Sequence, residues 1–127
     1  MKKKILIIDD DSDIIEALKL FLEAKGYEVK GETKPSKAIE LFNSFKPDLA
    51  ILDVMMDEPD EGFFIAQKIK KINPSCPLII YSSISKALGY DFAKSEVIVA
   101  EDFVDKPADP NVLLDLLNKY LGGSNYD

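Results

Sequence analysis

The chain has 127 residues, 16 Lys and Arg against 23 Asp and Glu for a formal charge of −7, one Cys, no Trp and no His. That length suits one domain able to bury roughly two-thirds of its unfolded surface without disulfide or structural metal. Lack of histidine excludes a Ser-His-Asp triad, a Cys-His nucleophile, His-ligated metal and phosphohistidine on this chain, and the acidic balance argues against nucleic-acid binding through phosphates.

Met1-Lys2-Lys3-Lys4 leads into only four apolar residues, Ile5 to Ile8, and then three aspartates. This is too short for a signal peptide, which needs an apolar stretch of about 7–15 residues, or for a membrane span of about 20. No membrane is expected, and the expected location is cytoplasmic. Ile5–Ile8 reads as a strand buried on both faces. Ser12 or Asp11 caps a helix with Ile14, Ile15, Leu18, Phe21 and Leu22 at helical spacing, and Gly26 closes it. Tyr27 to Thr33 is a weaker strand centred on Val29, and Pro35-Ser36 opens a helix that stops at Lys46-Pro47.

Leu49–Leu52 is the next buried strand, ending at Asp53. From Gly62 a third helix presents Ile65, Ile69 and Ile72 on one side, with Lys68, Lys70 and Lys71 as a solvated face. Cys76, before Pro77, reads as a small buried or loop residue without redox duty, since one Cys forms neither an internal disulfide nor a Cys/His zinc site. Leu78–Tyr81 is a strand ending at Ser82-Ser83. A fourth helix is expected near Lys86–Lys94, weakened by Gly89, and Val97-Ile98-Val99 fits a strand, a helix end or a buried loop. Asp102–Asp105 is a short last strand. Asp109 as N-cap and Pro110 at the first helical position then start a helix with Leu113, Leu114, Leu117 and Leu121 facing in. Residues 1–121 are expected to form the domain and 122–127 a short polar tail.

This (βα)5 alternation predicts an α/β fold, a doubly wound parallel sheet of flavodoxin-like strand order 2-1-3-4-5, with its site beyond the strand C-termini at the switch point. Just past those ends stand Asp9, Asp10 and Asp11, then Asp53, Ser82 with Ser83, and Lys106. Three aspartates at a helix start can simply complement its dipole. Carboxylates converging from two strands instead call for a cation, and oxygen-only ligands suit a hard one, Mg²⁺ best, with Mn²⁺ as the alternative.

The segments Ile7-Ile8-Asp9-Asp10, Ile51-Leu52-Asp53-Val54-Met55-Met56, Ile80-Tyr81-Ser82-Ser83 and Asp102-Phe103-Val104-Asp105-Lys106-Pro107, in that order, resemble the receiver domain of two-component response regulators. The resemblance implies a phosphoacceptor role for Asp53. It implies metal binding by Asp9, Asp10, Asp53 and the backbone carbonyl of Met55. Ser82 and Phe103 become the switch residues, Lys106 the phosphate-binding lysine, and Lys106-Pro107 a candidate cis peptide. The implied donor is a histidine kinase or a histidine phosphotransfer protein. The implied output is a downstream protein reader docking on the face of the fourth helix, fifth strand and fifth helix, from a monomer or weak dimer. Such a domain is not an enzyme beyond its own phosphorylation and dephosphorylation.

Two features depart from the family pattern. The loop after Asp53 has Asp57 and Glu61 where the family usually has Pro and Gly, and reads as a longer acidic loop, Asp57–Glu61, with Gly62 one position late. The 24 positions from Ser82 to Lys106 are slightly longer than usual, without the familiar Gly-Ala before the last strand. Three other readings compete. A degenerate receiver would act only as a protein-binding module. A Mg²⁺-dependent aspartyl phosphohydrolase would want a second aspartate at position 55, where Met stands. An FMN binder would need a phosphate-cradling loop where three aspartates repel phosphate.

Overall fold

A computed structural model describes residues 2–54, 59–83 and 100–122, the first turn of one helix (59–61) by its backbone alone. Five parallel strands, β1 (Lys4–Ile8), β2 (Glu28–Glu32), β3 (Leu49–Leu52), β4 (Leu78–Ser82) and β5 (Asp102–Asp105), lie in the order β2-β1-β3-β4-β5. The described helices are α1 (Ser12–Ala24), α2 (Pro35–Phe45), α3 (Pro59–Ile72) and the C-terminal α4 (Pro110–Leu121). This is the doubly wound, flavodoxin-like sheet that the alternation of runs predicts. The helix expected near Lys86–Lys94, and Val97–Val99, fall outside the described residues. No helix among the described residues is long and apolar enough to cross a membrane.

Side-chain alternation along the strands divides the core in two. Ile5, Ile7, Leu49, Ile51, Ile79 and Val104 pack with α1 and α4, and Leu6, Ile8, Leu52, Leu78 and Ile80 pack with α2 and α3. Both faces of the three central strands being covered, Ile5–Ile8, Leu49–Leu52 and Leu78–Ile80 are apolar throughout instead of alternating, which is why they read as continuous runs, whereas the edge strands β2 and β5 carry charged residues.

Helix ends follow local chemistry. Asp11 is the N-cap of α1 and accepts from the Asp13 backbone N–H at 2.9 Å, and Asp109 does the same for Asn111 at 2.9 Å. Gly26, at φ 98°, provides the left-handed turn after α1. Lys46 takes the left-handed position after α2 without a glycine, at φ 53°.

Two expectations need correction. α3 begins at Pro59, not Gly62, so part of the expected Asp57–Glu61 loop is the first helical turn. Proline there supplies a helical φ and lacks the N–H that a first turn leaves unpaired. Lys70 does not belong to a solvated face. Its ammonium, only 14% exposed as a side chain, bonds Glu101 Oε2 at 2.7 Å and the Cys76 carbonyl at 2.8 Å. Glu101 in turn accepts from the Leu78 N–H at 2.7 Å, tying α3 to the entrances of β4 and β5.

Candidate functional site

Asp9, Asp53 and Lys106 each stand one residue beyond a strand, held by one further backbone bond of the ladder, and Ser82 is the last residue of β4. Asp9 N–H donates to Glu32 O at 3.1 Å, Asp53 N–H to Ile8 O at 2.9 Å, and Lys106 N–H to Ser82 O at 3.1 Å. The apolar runs thus place polar groups at the sheet edge with backbone precision. Asp9, Asp53 and Ser82 are the buried polar side chains among the described residues, at 1%, 6% and 0% exposure.

The contacts are direct. Lys106 Nζ donates to Asp9 Oδ2 at 2.6 Å and to Asp53 Oδ2 at 2.9 Å. Ser82 Oγ donates to the other oxygen of Asp53, Oδ1, at 2.7 Å. The second oxygen of Asp9 accepts the Asp11 backbone N–H at 2.9 Å. Asp10 is exposed, yet Asp9, Asp10 and Asp53 each present a carboxylate oxygen within 4.8 Å of the others. Lys106-Pro107 is a cis peptide. Phe103 is half-buried against the core on the α2–α3 side. Met55 lies outside the described residues.

Electrostatics follow from burial. Desolvation holds Asp9 above the ordinary carboxylate range, against the Lys106 and Asp11 hydrogen bonds and the Lys106 charge, and the Asp53 charge pushes the same way as burial. For Lys106 burial acts to lower the pKa, but hydrogen bonds and charges from Asp9 and Asp53 outweigh it and raise it, so the side chain remains a cation. Three carboxylates and one ammonium leave the cluster with excess negative charge in an all-oxygen donor set. These residues fit a hard divalent ion.

Two neighbours carry roles that sequence reading missed. Gly62 on α3 lies against the backbone beside Asp53: a Cβ there would stand 2.4 Å from Val54 Cα and 2.5 Å from Val54 O. Its position one residue past the usual family glycine was the available signal. Tyr81, read only as a strand residue, lies under Lys106, 5.5 Å from Nζ to ring centroid; nothing in its local sequence marks this.

A family model described as response regulator receiver domain matches residues 5–118. Chemotaxis protein CheY of Thermotoga maritima is 35% identical over 122 residues, covering 94% of this chain and 98% of its own. Response regulator protein GraR of Staphylococcus aureus is 32% identical over 111 residues, 87% of this chain, and the match spans about half, 48%, of that longer relative. A CheY-like receiver domain structure from Methanospirillum hungatei aligns with TM-score 0.84 at 25% identity, covering 97% and 96% of the two chains. A receiver domain structure from Clostridium thermocellum aligns with TM-score 0.81 at 28% identity, covering 98% of each.

Proposed function

The chain belongs to the response regulator receiver family, and on that premise we propose that it is a phosphoacceptor signalling domain, spanning residues 1–121, that takes a phosphoryl group on Asp53. The observation that carries this reading is the shared hold on Asp53: Lys106 on one oxygen and Ser82 on the other, beside a second buried carboxylate, Asp9.

In the reaction an Asp53 carboxylate oxygen forms the new bond to phosphorus as the bond from phosphorus to the donor breaks, and the donor keeps that bond's electron pair. Lys106 stabilises charge spread over the transferring group, from a site where burial strengthens its field. Mg²⁺, or Mn²⁺ in its place, would be held by Asp9, Asp10, Asp53 and the Met55 carbonyl, and supplies Lewis-acid neutralisation of the phosphoryl oxygens. The product adds about −1.5 to −2 charge units and three acceptor oxygens. Ser82 then bonds a phosphoryl oxygen, Phe103 turns inward, and a pre-existing equilibrium shifts.

Family membership implies histidine kinase donors and downstream effectors. With no histidine among these 127 residues, the phosphoryl comes from a phosphohistidine outside them, on a histidine kinase or a histidine phosphotransfer protein, or from a small molecule. Its output is a protein contact made in the cytoplasm by a monomer or weak dimer. Incubation with an acyl phosphate and Mg²⁺, read by intact mass, is expected to add one phosphoryl group to the wild type and none to Asp53→Asn. An unmodified wild type overturns the reading and leaves a protein-binding module.

A further inference from the structure

We infer that Tyr81 is a positioning residue for Lys106, its ring face seating the ammonium over the acidic site. The inference rests on the phosphoacceptor reading for its consequence, though not for its geometry. β4 pairs with β5 in the register Tyr81 to Val104, which puts Lys106, two residues beyond Val104, on the face from which Tyr81 projects. The ring is buried, at 8% exposure, and Lys106 Nζ lies 5.5 Å from its centroid, within cation–π range. The Tyr81 hydroxyl accepts from the Ala108 N–H at 3.4 Å, so one side chain touches both the ammonium and the loop that carries it.

The contacts of Lys106 differ in what disturbs them. Asp9 and Asp53 hold its ammonium in the unmodified protein, but both carboxylates become engaged once a divalent ion or a phosphoryl group arrives. The Tyr81 ring is uncharged and coordinates nothing, so it keeps the ammonium aimed while the carboxylates change partners. The ring also covers one side of the ammonium from water, which preserves its field at the reacting oxygens.

The test compares Tyr81→Leu and Tyr81→Phe in the full chain, alone and combined with Lys106→Met. Proton NMR of the unphosphorylated protein reads the ring-current shift of the Lys106 methylene protons next to Nζ. That shift is expected to persist in Tyr81→Phe and to vanish in Tyr81→Leu. Phosphorylation of Asp53 by acetyl phosphate is expected to slow about 2- to 30-fold in Tyr81→Leu, the range open to a cation–π contact, and Tyr81→Phe is expected to recover most of that loss. In a Lys106→Met background the Tyr81→Leu effect is expected to disappear, whereas a merely structural defect would persist. Unchanged Lys106 shifts in Tyr81→Leu overturn the inference, as does an equal rate loss on either lysine background. A wild type that is never phosphorylated refutes the phosphoacceptor reading instead, and the NMR shifts still decide the position of Lys106.

Discussion

The hydroxyl of Ser82 donates to Oδ1 of Asp53 at 2.7 Å, with both side chains buried. One oxygen of the Asp53 carboxylate is thereby held from β4 while Lys106 holds the other from beyond β5. A phosphoryl group on Asp53 must rearrange one of these two bonds, which links the chemistry to the β4–β5 edge.

Ser82→Ala removes that donor from a buried carboxylate. A hydrogen bond to a charged group contributes about 1.5–3 kcal/mol. Urea unfolding is therefore expected to show a loss of that size, with Asp53 still phosphorylated and the phosphorylation-dependent change in Phe103 ring signals weakened. A Phe103 response equal to that of the wild type would show that Ser82 takes no part in the switch.

Lys106→Met removes the ammonium that Asp9 and Asp53 share. Removing one partner of a buried ion pair costs about 3–5 kcal/mol. The variant is expected to unfold at lower urea by a comparable amount, and Mg²⁺ is expected to raise its midpoint more than that of the wild type. Equal response of both proteins to Mg²⁺ would mean that the carboxylates do not share one ion.

Gly62→Ala would normally favour a helix by about 1 kcal/mol. Here the added Cβ would stand 2.4 Å from Val54 Cα, and the atoms it would meet are Val54 backbone atoms that cannot rotate away. A net loss of about 1–3 kcal/mol is expected, as for overpacked sites, together with slower phosphorylation because Val54 adjoins Asp53. Thermal unfolding and phosphorylation rates check both parts, and a stabilised variant would contradict the close approach.

Cys76 is buried, and desolvation, partly offset by Lys70, pushes its thiol up to about 11. The thiolate is the reactive form, so iodoacetamide at pH 8 is expected to label the folded protein very slowly and the urea-unfolded chain readily. Above the unfolded value of 9.0 the unfolded thiol loses its proton while the folded one keeps it, so stability falls as pH rises from about 9 to 11. Rapid labelling of the folded protein at pH 8 would contradict the burial.

Much of the fold was legible from the apolar runs. Ile5–Ile8, Leu49–Leu52 and Leu78–Ile80 announce strands buried on both faces, and the residue after each of the first two is an aspartate. Gly62 is the conspicuous residue before the apolar stripe of α3, yet the helix starts at Pro59, the better helix opener. The ion pair of Lys70 is not legible locally, because its spacing matches that of its solvated neighbours while its partner Glu101 lies 31 positions away.

One domain, an oxygen-only set of candidate ligands, no internal phosphohistidine and alternating strands and helices all follow from local pattern and composition, because propensity and periodicity act over a few residues. Contacts between remote positions do not follow from them. Lys106 meets Asp9 across 97 positions, Gly62 abuts Val54, and the Tyr81 ring underlies Lys106. Those contacts exist because a parallel sheet packed on both faces brings its strand ends to one edge, and only packing in three dimensions sets their distances.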